Sequence, residues 1–267
     1  MVRLPRLATW LLCQVLVVGP LGVAKVHALD LRAGLSWMDF EYKEFDDAGE
    51  ILDREDGSLP GLGLGVTQPF GRWSLDAEFT WHVGSAGYSG QTQDRVPVST
   101  DTDEAIWDTS VYMTYSVPER PLRVVAGLGY RYWERDIQPS RDINGRPVAG
   151  LLEYYYWYYL MLGMQFDVVD ELSFDFRALW PIDATMELAL AGANTRFDLG
   201  ERPGLRLAAP WRKPLSQRLT LTVEPYLQYW QFDASPSVYV PELSGWAYEP
   251  DNDTLSWGLR AWLAAGF

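Results

Sequence analysis

The sequence predicts an all-β protein: a ten-stranded antiparallel transmembrane β-barrel, closed, with five long extracellular loops. Three observations carry this. Ten stretches alternate apolar and polar residues with the period of two that marks a strand. The connections between them alternate long and short. The aromatic residues of the apolar face gather at the strand ends, with aliphatic residues between them.

Composition sets the frame. The chain has 267 residues, a length that one all-β domain fills. Its 13 Trp and 15 Tyr argue against disorder, which goes with few aromatics. A net charge of −14 excludes nucleic acid as a partner, because phosphates must be neutralised by Lys and Arg.

Residues 1–28 read as a signal peptide. Arg3 and Arg6 give a basic start, 7–23 is largely apolar, and Val26, His27 and Ala28 resemble a small-residue cleavage site. An uncleaved N-terminal anchor is the alternative. Cys13, the one cysteine, lies in this apolar stretch, so a chain cleaved after Ala28 has no disulfide and no thiol chemistry. No later segment reaches the roughly 18 apolar residues of a membrane helix. The rest, 29–267, is assigned to the barrel.

The strands follow in order. The first, 29–42, is apolar at alternate positions until the phase slips after Trp37, which predicts a bulge. The second runs over 59–68. The third sets Trp73, Leu75, Ala77, Phe79, Trp81 and Val83 against Ser74, Asp76, Glu78, Thr80 and His82. The fourth, 107–117, and the fifth, 124–133, repeat the pattern. The sixth places Tyr156, Tyr158, Leu160, Leu162, Met164 and Phe166 on one face, and the seventh does so with Leu172, Phe174, Phe176, Ala178 and Trp180. The eighth, 204–211, and ninth, 218–231, are less regular, and Pro225 removes one ladder donor from the ninth. The tenth is the cleanest, with Leu255, Trp257, Leu259, Ala261, Leu263, Ala265 and Phe267 all on one face.

Alternation alone does not separate a membrane barrel from a soluble sandwich. The connections do: 43–58, 84–103, 135–150, 181–203 and 233–253 are long, whereas 69–72, 118–121 and 167–171 are short. That is the pattern of extracellular loops and periplasmic turns. Trp37, Trp81, Trp107, Tyr132, Tyr154, Trp180, Tyr229 and Trp257 stand at the long-loop ends. Phe70, Trp73, Phe166, Phe174, Trp211 and Phe267 stand at the short-turn ends. Two girdles flanking an aliphatic band suit a bilayer, because amphipathic rings prefer the headgroup level. Lipid cannot satisfy backbone N–H and C=O groups, so the sheet must close. An even strand number puts both termini in the periplasm. The outer connections are acidic, and 43–58 reads as a solvated, self-repelling loop.

The face opposite the lipid carries Asp76, Glu78, Asp108, Asp175 and Glu224 with Arg32, Arg131, Arg177, Arg206 and Arg260, and the indoles of Trp133, Trp157, Trp230 and Trp262. Charges in a narrow lumen persist when paired, so these ten residues read first as a structural ion-pair network. A charged constriction in a narrow solute or ion channel is the alternative. The mature chain lacks the His/Cys clusters that a zinc site needs, and no dedicated metal site or cofactor is implied. Weak Ca²⁺ binding or divalent bridging to lipopolysaccharide by the acidic 43–58 loop is the alternative to its solvated reading.

Ten strands, five long outer loops and this size resemble the omptin family of outer-membrane proteases, in architecture over most of the mature chain. The resemblance implies a bacterial outer-membrane location. Omptins hold a water between an Asp-Asp pair near the second outer loop and an Asp-x-His pair near the fourth. Here the third strand ends in TWHVG, with Thr80 and His82 where the acidic pair is expected. The fourth loop begins PIDATMEL, offering Asp183 and Glu187 but no histidine. The protease motif is therefore unmatched. His82 is the only histidine after residue 28, and with Glu78 or Asp183 it is the candidate for hydrolysis of peptide or lipid A at the outer rim. Lipid A deacylases, which use a His-Ser pair on barrel strands, are similar in idea, though no serine can be placed beside His82 from sequence. The other reading of His82 is a histidine held within the polar network. The terminal Leu263, Ala265 and Phe267 resemble the signature read by the barrel-assembly machinery. Outer-membrane lipid and lipopolysaccharide are the other expected partners, and a monomer suffices. The leading expectation is a non-catalytic barrel that acts through its outer loops in surface interaction or envelope stability.

Overall fold

The computed structural model describes residues 29–92, 94–190 and 192–267; the expected signal peptide lies outside the described residues. Ten staves form one antiparallel sheet: β1 (Asp30–Phe45), β2 (Ile51–Phe70), β3 (Trp73–Gln91), β4 (Pro97–Ser116), β5 (Leu122–Ile137), β6 (Leu151–Val169) and β7 (Leu172–Leu190) are continuous. β8 is interrupted, with segments Ala193–Asp198, Gly200–Glu201, Gly204–Ala208 and Trp211–Pro214. β9 (Leu219–Asp233) and β10 (Asp251–Gly266) complete the set. β1 pairs with β10 from Asp30↔Gly266 to Phe45↔Asp251, so the sheet closes and no edge remains in the membrane. The break in β8 lies opposite Pro225, whose carbonyl accepts from Ala209 N at 3.0 Å.

Two expectations need correction. The staves run well beyond the apolar alternation: residues 43–58 and 84–103 are mostly ladder, with turns only near 46–50 and 92–96. Above the bilayer a strand pair needs no lipid-facing apolar residues, so its ladder outlasts the pattern that reveals it. The outer connections are therefore largely β-ribbons, with small hairpins Ser140–Arg141/Pro147–Val148 and Val238–Val240/Gly245–Ala247. The bulge expected after Trp37 is also absent, because the register is unbroken from Trp37 to Met38 on both sides. The apolar phase changes because Met38, Phe40 and Tyr42 point inward and are buried.

The outer face bears the lipid-facing residues. Leu35, Leu62, Leu64, Leu128, Leu162 and Leu259 are exposed, as are Trp37, Trp81, Trp180 and Trp257 at one rim and Trp73, Phe166, Phe174 and Trp211 at the other. Part of the outer girdle is a continuous aromatic belt, with Trp107 stacked on Tyr132 at 5.3 Å and Tyr132 at 6.2 Å from Tyr154.

Candidate functional site

The lumen is built in storeys, and β2 makes the lowest ones possible. Its run Gly61-Leu62-Gly63-Leu64-Gly65 turns leucines to lipid and bare backbone inward. Side chains of β1 can therefore cross β2 to β3. Arg32, Gly65 and Glu78 occupy one rung, and Arg32 Nη2 meets Glu78 Oε2 at 2.7 Å; a Cβ on Gly65 would stand 2.3 Å from Arg32 Nε. One storey up, the Trp262 indole lies over Gly34 and Gly63.

All ten predicted lumen residues line this interior, and nine of them form ion pairs. Glu78 is shared by Arg32 and Arg260 (2.8 Å), Glu224 by Arg206 (2.6 Å) and Arg260 (3.6 Å), while Arg177 pairs with Asp175 (2.7 Å) and Arg131 with Asp108 (3.8 Å). Asp76 accepts instead from Thr67 and Ser74. Cation–π contacts of Arg177 with Tyr112 and of Arg260 with Tyr226, both at 4.5 Å, pack the guanidiniums further. The space left between Glu78, Asp108, Tyr159 and Arg260 is about 20 Å³, room for a water at most.

The candidate catalytic residues are not brought together. Glu78 is held by its two arginines. Asp183 stands on the outer rim with a left-handed φ of 56°, ion-paired with Arg196. His82 is buried, and its Nε2 lies 2.8 Å from Ser36 Oγ. This is another glycine-crossing rung, Ser36–Gly61–His82, in which a Cβ on Gly61 would come within 2.5 Å of His82 Cδ2. Sequence reasoning missed Ser36 because it lies on β1, two strands away. The alternating glycines of β2 were the signal that could have found it.

Above the girdle a second cluster forms that the sequence did not reveal. Arg135 is fully buried, and its guanidinium donates to Glu55 through Nε (3.2 Å) and Nη2 (2.9 Å), to Glu153 (2.7 Å) and to the Tyr155 hydroxyl (2.9 Å). Glu44 lies 3.4 Å away, and the Tyr42 ring lies beneath the guanidinium at 4.1 Å. Tyr42 and Tyr155 both direct their hydroxyls to Glu249 Oε1, and Trp133 Nε1 donates to Glu104. One guanidinium thus faces Glu44, Glu55, Glu104, Glu153 and Glu249. Burial pushes the carboxyl of Glu153 up to about 7, and those of Glu104 and Glu249 well above their ordinary range; neighbouring carboxylates add to the shift. Residues 43–58 are therefore not simply a solvated acidic loop, since Glu44 and Glu55 are core residues of this cage. Among the described residues no group of three or more His, Cys, Asp or Glu is placed to hold a metal ion.

No protein-family model matches the chain, and no curated protein matches it by sequence. Solved structures do. The outer membrane protease OmpT of Escherichia coli aligns over 93% of this chain and 99% of its own, with a TM-score of 0.59 at 10% identity. The toluene transporter TodX of P. putida covers 90% of this chain and 90% of its own, with a TM-score of 0.38 at 8% identity. Neisserial surface protein A covers 90% and 97%, with a TM-score of 0.36 at 9% identity. The likeness to OmpT is one of fold: the chain is an omptin-like closed β-barrel of the outer-membrane type.

Proposed function

We propose that this chain is a bacterial outer-membrane barrel, exported through a signal peptide over residues 1–28, that is sealed by its own side chains and acts through its extracellular ribbons in surface interaction or envelope stability. The observation that carries this reading is the filled lumen. The ion-pair storeys, the inner aromatics Trp157, Trp230 and Phe232, and the Arg135 cage lie one above another. The aromatics and the cage are buried, and in the storeys Arg32, Glu78, Asp108 and Glu224 are half-buried and the rest buried. The groups free to meet another molecule lie outside: Trp246, Tyr239 and Leu243 of the last outer hairpin and Ile143 of the third connection are exposed. In this reading lipid and lipopolysaccharide surround the girdles, and the assembly machinery reads the strand that ends in Phe267. The test is to replace residues 238–247 by a Gly/Ser linker and compare cell-surface binding and envelope permeability with wild type. A change with the barrel intact supports the proposal, and wild-type behaviour on both counts contradicts it.

One observation favours a hydrolase, the 2.8 Å contact of His82 Nε2 with Ser36 Oγ. Burial of both residues and the two arginines that hold Glu78 weigh against it. A serine-directed fluorophosphonate should leave Ser36 unlabelled; labelling that is lost in His82→Ala would revive the enzyme.

A further inference from the structure

A cavity lies at the opposite end, where the lumen opens between the short turns. It measures about 410 Å³, within the range of small-molecule sites. Its walls differ in sign. Asp30 and Asp76 line it from β1 and β3. Arg123 and Arg212 line it from β5 and β8, and Arg218 from the turn between β8 and β9. Arg32, Arg206, Glu78 and Glu224 also border this space but are committed to one another deeper in the lumen. The mouth groups are not so committed. Asp76 accepts only from Thr67 and Ser74, Arg212 donates to the Ser173 hydroxyl, and neither Arg212 nor Arg218 is ion-paired among the described residues. Arg123 reaches Asp167 near the end of β6, yet its Nε is buried without a partner.

A self-satisfied network would pair Asp30 and Asp76 with Arg212 and Arg218, as it pairs every arginine of the storey above. Here the carboxylates stand on β1 and β3 and the guanidiniums on β5, β8 and the β8–β9 turn, and among the described residues no ion pair joins the two sets. A lone anion would satisfy one wall only, and so would a lone cation. We propose that the short-turn mouth is a binding site for a small zwitterion, an amino acid or short peptide with a free ammonium and a free carboxylate. The carboxylate lies against Arg212, Arg218 and Arg123, where planar guanidinium forks suit it, and the ammonium lies against Asp76 and Asp30. With the proposed orientation this mouth faces the periplasm, where such groups occur on free peptides and on the peptide stems of the cell wall.

Isothermal titration of the detergent-solubilised barrel near neutral pH tests this with glycylglycine, N-acetylglycylglycine, glycylglycine amide and inorganic phosphate. Glycylglycine should bind, and blocking either terminus should weaken binding about tenfold, the scale of a lost charge-assisted hydrogen bond. The double substitution Arg212→Gln with Arg218→Gln should remove the preference for a free carboxylate, and Asp76→Asn the preference for a free ammonium. Folding of each variant is checked by heat-modifiable gel migration, and Arg218→Gln alone, at an exposed rim position, serves if the double variant does not fold. Co-sedimentation with isolated cell-wall sacculi, displaced by glycylglycine, would identify the wall as the source of the ligand; binding of glycylglycine without it would identify free peptides. No heat with any probe overturns the proposal. So does binding of phosphate or the acetylated peptide as tightly as glycylglycine, which would make the mouth a plain anion site.

Discussion

The charged storey within the membrane and the charged cage above it solve the same problem in opposite ways. In the lower storey the charges alternate: Glu78 and Glu224 each have two arginines within reach, and Arg260 serves both. The upper cage has one guanidinium for Glu44, Glu55, Glu104, Glu153 and Glu249. The lower network is redundant at its centre, since losing Arg260 leaves Glu78 with Arg32 and Glu224 with Arg206. The cage has a single keystone, and its surplus carboxyls stay buried only by holding protons or by accepting from Tyr42, Tyr155, Thr102 and Trp133. The lower storey neutralises its own charge, whereas the cage depends on protons and on hydroxyl and indole donors.

The sharpest way to break this comparison is to remove the keystone. Arg135→Leu should cost about 3–5 kcal/mol by stranding buried carboxylates. The damage should appear as proteolytic cleavage of the outer ribbons, with the membrane-level barrel still folded. Arg260→Gln should cost clearly less, because Glu78 keeps Arg32 and Glu224 keeps Arg206. Equal losses would mean the two networks do not differ in redundancy.

A pH series sharpens the same contrast. Burial raises the Glu153 carboxyl to about 7 in the folded cage from an ordinary 4.5, and raises those of Glu104 and Glu249 well above their ordinary range. A carboxyl raised on folding stabilises fully below its unfolded value, and that contribution fades as pH rises through its folded value. Protection of the outer ribbons from protease should therefore be greatest in mild acid and should decline as pH rises from about 4.5 through 7. Protection that improves with rising pH would contradict the cage.

A smaller effect tests the glycine wall. Gly65→Val would drive a branched side chain into the path of Arg32 and should cost about 1–3 kcal/mol as overpacking, read as a lower unfolding temperature. Leu64→Val, next door but facing lipid, should be nearly silent.

How much of this the sequence disclosed follows the bilayer. Where lipid faces the strand, as in Trp73–Val83 or Leu255–Phe267, apolar alternation is enforced and the staves, their order and their closure could be read. The inward set opposite them, from Arg32 to Arg260, could be read for the same reason, as the other half of the alternation. Above the girdle that constraint lapses. Glu44, Glu55 and Arg135 sit in stretches whose two faces are both polar, so buried and solvated charges look alike and the cage was invisible. His82 was assigned the inward face, but its meeting with Ser36 depended on three strands and one glycine, a relation no single-strand pattern contains. The phase slip after Trp37 was a real signal with the wrong cause: the lumen turns aromatic there, and the ladder does not bulge.

The central claim is that side chains seal this barrel. Its most direct test is ion conductance of the purified protein in a planar lipid bilayer near neutral pH. The account predicts a silent membrane for the wild type. Steady conductance steps that change with Arg260→Gln or Glu224→Gln would show an open path through the ion-pair storey and would contradict it.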